Sequence, residues 1–186
     1  MSIDSQTAPV APPASEFVPP STGVLTRRVM VTIGVAILVL DQLTKLLVRT
    51  QIALHDSIEI VPGLLNLVHV RNTGAAFGFL NGVDLGYKQL LMTTVAVVAL
   101  LAIGLYAWRV GSRERLARAG LALILGGAVG NLIDRALVGY VVDFVDVYWR
   151  SYHFWAFNVA DSAITVGACL LILDMFVATN DVSTPL

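Results

Sequence analysis

Residues 155–177 read WAFNVADSAITVGACLLILDMFV, and this stretch decides the fold. It is long and apolar enough to cross a bilayer, which takes about 20 residues in a helix. Yet Asn158 and Asp161 stand near its start. A carboxylate in a membrane helix costs roughly 2.5–3.5 kcal/mol at the helix centre and less near the interface, so such residues usually face a protein interior and have a function. The surroundings of Asp161 are therefore the central question about this chain.

Three more apolar stretches precede this one, at residues 29–48, 89–108 and 116–137. The 186-residue chain is 56% hydrophobic and 13% charged, with a mean hydropathy of +0.77, a composition typical of membrane proteins. The sequence predicts an all-α transmembrane bundle of four helices within a domain of residues 26–178. The net charge of −1 offers no general attraction to nucleic acid, so no nucleic-acid partner is expected.

The two ends of the chain differ from the apolar stretches. Residues 1–25 are rich in Pro, Ser, Ala and Thr and lack apolar periodicity, which predicts a disordered cytoplasmic tail. The tail lacks the basic start and apolar core of a cleavable signal peptide, so the first span is expected to stay attached. Residues 179–186 are expected to form a short cytoplasmic C-terminal tail.

Basic residues predict the orientation of the bundle, because Lys and Arg are retained on the cytoplasmic side. They precede the first stretch and cluster in the link between the second and third stretches, at Arg27, Arg28, Arg109, Arg113, Arg115 and Arg118. Both termini should therefore be cytoplasmic. The connections at residues 49–88 and 138–154 should face outside.

The first outer connection contains a strand pattern. Residues 57–74, SIEIVPGLLNLVHVRNTG, alternate apolar and polar residues around a Pro-Gly turn, which is typical of two short strands. Strand edges cannot lie exposed in hydrocarbon. The sequence therefore predicts a small extracytoplasmic β-sheet that rests on the helices.

Polar residues of three predicted helices fall at one depth. At about 1.5 Å per residue, the following side chains lie within about 10 Å of the outer surface: Asp41, Asn131, Asp134, Arg135, Asn158 and Asp161. Lys45 follows Asp41 by one turn, and the two can neutralise each other, which favours structural support over direct chemistry there. Asp174 lies near the opposite surface, and no function is assigned to it.

Asp161 needs a partner from outside its own helix, since no Lys or Arg stands three or four residues away. The segment YVVDFVDVYW, residues 140–149, offers Asp143 and Asp146. Strand alternation sends these two to opposite faces, so only one can point at the helices, and spacing does not choose between them. Two close carboxylates cannot easily both ionise, and such a pair can activate a water against a peptide carbonyl.

Other catalytic chemistries have weaker support in the sequence. His55, His69 and His153 show no metal-ligand spacing, Ser162 has no histidine on its helix face, and Cys169 is the single cysteine. No metal or cofactor is therefore expected. A transporter or proton channel is the main alternative, but it would require polar residues in both halves of the spans. A non-catalytic assembly subunit is the second alternative.

Five motifs occur in a characteristic order: DQLTK (41–45), RNTGAAFG (71–78), GNLIDR (130–135), VVDF (141–144) and FNVAD (157–161). Over residues 27–178 the chain resembles the lipoprotein signal peptidase family, signal peptidase II. The resemblance implies an intramembrane aspartyl protease of the bacterial inner membrane. Such a protease removes signal peptides from diacylglyceryl-modified prolipoproteins by cleaving before the lipidated cysteine.

The resemblance also implies roles for single residues. Asp143 and Asp161 would be catalytic, and only the resemblance prefers Asp143 to Asp146. By the same resemblance, Asn131, Arg135 and Asn158 would line the substrate site, and Asn72 and Asp134 would support it. Asp41 and Lys45 would stabilise the fold near the site. The implied protein is a monomer whose partners are lipid-modified prolipoproteins and membrane lipids, with an active site near the periplasmic face.

Overall fold

The computed structural model describes residues 24–74, 87–112 and 114–181, with side chains described up to residue 177. Within these residues the predicted four apolar helices and small sheet are confirmed. The helices are α1 (Arg27–Gln51), α2 (Lys88–Arg109), α3 (Arg115–Val138) and α4 (Val159–Asp181). Each of the four is long and apolar enough to cross a membrane. Residues 1–23 of the predicted disordered tail lie outside the described part of the chain.

Hydrogen bonds and one glycine explain several of the helix ends. Thr26 caps α1 by accepting a hydrogen bond from the backbone N–H of Val29. Gly139 ends α3 in the left-handed conformation, at φ 80°, which glycine adopts without a steric penalty. Asp174 accepts a hydrogen bond at 3.3 Å from the backbone N–H of Ala117 and so satisfies a donor in the first turn of α3.

The sheet contains β1 (Ser57–Val61), β2 (Leu65–Asn72), β3 (Val141–Trp149) and β4 (Tyr152–His153), in the spatial order β1-β2-β3-β4 with antiparallel pairing. The predicted hairpin is present as β1 and β2. In the pairing of β2 with β3, Val70 lies opposite Asp143 and Asn72 lies opposite Val141. This register brings the end of β2 beside the acidic part of β3.

The start and end of the fourth helix differ from the prediction. α4 begins at Val159 rather than at residue 155, because residues 154–157 run extended beside β3. Phe157 donates a backbone hydrogen bond to Val145 and accepts one from it, at 3.0 and 2.8 Å. At the other end α4 continues to Asp181, beyond the predicted span.

The core lies along α3, which contacts the other three helices. Its glycines permit the close approach, as small residues do in membrane bundles. A Cβ added at Gly126 would lie 2.6 Å from the carbonyl oxygen of Gly34 in α1, and one at Gly127 would lie 2.5 Å from that of Ala160 in α4. α3 therefore packs directly against the backbone of α1 at Gly34 and against the start of α4 at Ala160.

Candidate active site

Asn158 and Asp161 form a reciprocal cap at the start of α4. The Asn158 side-chain oxygen accepts a hydrogen bond from the backbone N–H of Asp161 at 2.9 Å. The Asp161 carboxylate in turn accepts one from the backbone N–H of Asn158 at 3.3 Å. This exchange is the geometry of a capping box. It explains the local fold of FNVAD and fixes Asp161 one turn inside the helix.

Asp143 lies on β3 and faces this cap. Its side chain is 3% exposed. One carboxylate oxygen accepts a hydrogen bond from the Asn158 side chain at 2.7 Å, and the other accepts one from the Asn72 side chain at 3.0 Å. The β2–β3 register supplies Asn72, and the extended segment before α4 supplies Asn158. Two separate pieces of chain therefore hold Asp143 in place.

Asn131 of α3 completes the arrangement from the opposite side. Its amide N–H donates to Asp161 at 2.8 Å, while its oxygen accepts a hydrogen bond from the ammonium group of Lys45 at 2.8 Å. Asn158 also donates to the same oxygen at 3.4 Å. Two asparagines thus connect the carboxylates of Asp143 and Asp161.

Both carboxylates open into one cavity of about 580 Å³. Its polar lining includes Asn72, Asn131 and Arg135, and its apolar wall comes from residues 154–157 and from α4. Arg135 donates a hydrogen bond to the backbone carbonyl of Gly74 at 3.0 Å. Such a cavity, largely apolar with a few convergent polar groups, has the properties of an enzyme site.

The protonation of Asp143 is set by its surroundings. Burial, and then the nearby Asp161 carboxylate, raise the pKa of Asp143 from 3.8 to about 7. The hydrogen bonds from Asn72 and Asn158 favour the ionised form and act against this rise. Near neutral pH the Asp143 carboxyl group can therefore hold a proton or release it, as an acid-base group must.

Asp146, the alternative partner for Asp161, does not line this cavity. It accepts a hydrogen bond from the Asn66 side chain at 3.1 Å and pairs with His153 at 3.0 Å. Its contacts are therefore with the sheet, as strand alternation requires when Asp143 faces the helices.

A buried ion network adjoins the site. Lys45 lies 2.8 Å from Asp41 and 3.0 Å from Asp134, and Arg49 lies 2.6 Å from Asp134. Asp41 also accepts a hydrogen bond from the backbone N–H of Ala160 at 3.0 Å, which ties the start of α4 to α1. The predicted mutual neutralisation of Asp41 and Lys45 is present, with Asp134 as a third member.

The described residues contain no group of three or more His, Cys, Asp or Glu side chains placed to hold a metal ion. The polar lining of the cavity includes the two carboxylates, the amides of Asn72 and Asn131, the guanidinium of Arg135 and the hydroxyls of Ser162 and Thr165.

Sequence comparison decides the family. The family model described as "Signal peptidase (SPase) II" matches residues 33–177. This chain belongs to the signal peptidase II family. The match covers α2, α3, most of α1 and α4, and every residue that lines the cavity, so the family and the site geometry concern the same part of the molecule.

Individual members of the signal peptidase II family are similar to this chain over most of their length. The lipoprotein signal peptidase of Geobacter metallireducens is 48% identical over 148 residues, which is 80% of this chain and 90% of that protein. The Pseudomonas putida protein of the same name is 42% identical over 84% of this chain and 92% of its own length. A solved bacterial membrane enzyme, crystallised in meso, has a TM-score of 0.78 at 31% identity and covers 88% of this chain and 96% of its own.

The structure brings together all the residues that the resemblance to signal peptidase II had named. Asn72, Asn131, Arg135, Asp143 and Asp161 line the cavity, and Asn158, Asp134, Asp41 and Lys45 contact these residues or one another. Sequence reasoning missed Arg49, the second partner of Asp134. Its position four residues after Lys45, on the same face of α1, was the available signal. Residues 75–78 of the RNTGAAFG motif lie outside the described part of the chain.

Proposed function

We propose that this signal peptidase II family member is a membrane aspartic endopeptidase that removes the signal peptide from diacylglyceryl-modified prolipoproteins. Cleavage would occur just before the lipidated cysteine. One observation carries the assignment of the catalytic residues: Asp143 and Asp161 share a single cavity and are connected through Asn131 and Asn158. The names of the relatives supply the substrate class.

The two carboxylates are assigned complementary roles. Asp161, which accepts hydrogen bonds from Asn131 and from the backbone of Asn158, is the base that takes a proton from the attacking water. Asp143, with a pKa of about 7, supplies a proton. The water oxygen bonds to the peptide carbonyl carbon, the C–N bond breaks, and the leaving amine takes the proton from Asp143.

The cavity wall suits a lipid-anchored substrate. Residues 154–157 and the first turns of α4 present mainly apolar side chains beside the carboxylates, and apolar walls exclude water and accept acyl or aliphatic groups. Arg135 lies within hydrogen-bond reach of a backbone carbonyl at the cavity and is proposed to contact the polar part of the substrate. We assign the site to the periplasmic face of the bacterial inner membrane.

The assignment of Asp143 and Asp161 is tested with purified variants in detergent. Asp143→Asn and Asp161→Asn should each insert and fold, yet release signal peptide from a lipidated prolipoprotein at least about 100-fold more slowly, the lower range for loss of acid-base catalysis. Asp146→Asn and Asp174→Asn are matched controls, because both carboxylates lie outside the cavity. Near wild-type cleavage by either Asp143→Asn or Asp161→Asn would refute the proposal.

The substrate class needs a separate measurement. Wild-type protein should cleave the diacylglyceryl-modified prolipoprotein and leave the same chain without the lipid intact. Equal cleavage of both forms would reject lipid recognition while leaving the aspartate chemistry unaffected.

A further inference from the structure

A second cavity, of about 370 Å³, lies between α1, α2 and α3. It occupies the opposite side of α3 from the cavity that Asp143 and Asp161 share, which is called the catalytic cavity below. Val129 lines the second cavity and Asn131 lines the first. Because these residues are two positions apart on α3, their side chains point about 200° apart around the helix axis. The walls are apolar, and the charged residue in the lining is Arg27 at one end. This second cavity is called the α1–α3 groove below.

The length of the α1–α3 groove matches one leaflet of a bilayer. On α1 it runs from Arg27 to Leu38, twelve residues whose eleven steps of 1.5 Å give a length of about 16 Å. The hydrocarbon core of a bilayer is about 30 Å thick, so one leaflet contributes about 15 Å. The dimensions therefore fit a single acyl chain that lies parallel to the helices.

The open end of the groove has the residues of a membrane interface. The guanidinium of Arg27 lies 4.4 Å from the ring centroid of Trp108 and donates to the Trp108 carbonyl at 3.5 Å. Trp and Arg side chains are typical of the headgroup level, where an apolar surface meets polar groups. A lipid chain in the groove would thus place its headgroup beside Arg27.

Within the described residues neither Arg27, which is exposed, nor Arg118, which is buried, pairs with a carboxylate. Arg118 is 4% exposed and donates to the sulfur of Met30 at 3.1 Å and to the carbonyl of Val110 at 3.4 Å, and Met30 lines the groove. None of the ion pairs in residues 24–74, 87–112 and 114–177 includes Arg27 or Arg118. A buried cation without a counterion is costly. An anion at the groove's end would offset that cost.

We propose that the α1–α3 groove binds one acyl chain of an anionic phospholipid, whose phosphate lies at Arg27 with Arg118 behind it. The site is distinct from the catalytic cavity and concerns the leaflet at the other end of the bundle. A substrate signal peptide is the less favourable occupant, because signal peptides begin with a positively charged segment that Arg27 and Arg118 would repel.

The test uses fluorescence quenching by brominated lipid. The protein has three tryptophans, so Trp149→Phe and Trp155→Phe leave Trp108 as the reporter. The protein is reconstituted in phosphatidylcholine vesicles with a small fraction of phosphatidylglycerol brominated on its acyl chains, or of brominated phosphatidylcholine. We expect phosphatidylglycerol to be enriched about fivefold at Trp108, the factor that one basic residue near an anionic membrane surface provides.

Matched variants separate the groove from bulk lipid. Gly104→Leu adds a side chain to the groove at a position where the Cβ meets no atom within 4 Å, and it should abolish the enrichment. Ala102→Leu, exposed and outside the groove, should preserve it.

Arg27→Gln should remove the preference for phosphatidylglycerol, whereas Arg28→Gln removes an equal charge outside the groove and should retain it. The proposal would be overturned if brominated phosphatidylglycerol quenched Trp108 of the wild-type protein only as much as its mole fraction in the bilayer predicts. It would also be overturned if Gly104→Leu and Ala102→Leu, or Arg27→Gln and Arg28→Gln, had equal effects. Peptidase activity in detergent is measured separately and does not enter this test.

Discussion

Lys45 determines how the amide of Asn131 is oriented. Its ammonium group has three donors, and these reach Asp41, Asp134 and the side-chain oxygen of Asn131. Because that oxygen accepts from Lys45, the amide N–H of Asn131 must point the other way, towards Asp161. A residue that does not line the catalytic cavity thus sets the direction of a hydrogen bond to a proposed catalytic carboxylate.

Replacement of Lys45 by methionine should therefore affect both stability and catalysis. In Lys45→Met, Asp134 keeps Arg49, but Asp41 stays fully buried without a cation. Removal of one partner of a buried ion pair costs about 3–5 kcal/mol, and we expect a lower midpoint of thermal unfolding in detergent. The double variant Asp41→Asn/Lys45→Met should recover part of that loss, since Asn keeps an acceptor for the Ala160 N–H. A double variant no more stable than Lys45→Met would contradict the argument.

The hydrogen bond from Asn72 should tune the pH dependence of cleavage. As a proton donor Asp143 is active when protonated, so the rate should fall as the pH rises through its pKa of about 7. The Asn72 hydrogen bond lowers this pKa. Its removal in Asn72→Ala should raise the pKa and shift the alkaline limb of kcat/KM to higher pH.

Asn66→Ala is the control for this shift, because Asn66 donates to Asp146 outside the cavity. Rates measured from pH 5.5 to 9 in the same buffers give the alkaline limb of kcat/KM for both variants. An alkaline limb that moves to lower pH in Asn72→Ala, or that moves equally in Asn66→Ala, would reject Asp143 as the proton donor.

At the scale of elements, apolar stretches of about 20 residues predicted the four helices, and apolar-polar alternation around a Pro-Gly turn predicted the β1–β2 hairpin. They did not predict that residues 154–157 are extended, because the apolar composition of these residues suits a helix as well. The pairing of Phe157 with Val145 decides the outcome, and that is a contact between distant parts of the fold. Spacing likewise left Asp143 and Asp146 undecided, since the choice depends on how β3 is rotated against α4.

Close packing of α3 against α4 should be necessary for the site. In Gly127→Ala the new Cβ would lie 2.5 Å from the backbone carbonyl of Ala160, so α4 must move at its capped end, next to Asp161. We expect a loss of about 1–3 kcal/mol, typical of overpacking, together with slower cleavage. Gly104→Ala is the matched control, because no atom lies within 4 Å of its Cβ, and alanine stabilises a helix by about 0.5–1 kcal/mol relative to glycine. Thermal midpoints and cleavage rates of the two variants check the prediction, and equal behaviour would contradict it.

At the scale of the whole molecule, the two ends of the bundle differ in net charge: basic residues outnumber acidic ones at the end away from the sheet, whereas the sheet end balances its basic residues with carboxylates such as Asp41 and Asp134. The network of Asp41, Lys45 and Asp134 lies at the end of the helices that carries the sheet. The opposite end has basic residues at the start of α1 and around the α2–α3 link: Arg27, Arg28, Arg109, Arg115 and Arg118. Because basic residues are retained on the cytoplasmic side, this asymmetry predicts the orientation independently of the chemistry.

The orientation is tested by labelling single cysteines. Cys169 is the single cysteine in the chain, and Cys169→Ser gives a background without thiols. Leu64→Cys lies in the exposed β1–β2 turn, and Ser112→Cys lies in the exposed α2–α3 link. A membrane-impermeant maleimide should label Leu64→Cys in intact spheroplasts and Ser112→Cys only after the membrane is broken. The reverse pattern would place the sheet and the catalytic cavity on the cytoplasmic side, where a lipid-anchored substrate exported across the membrane could not reach Asp143 and Asp161.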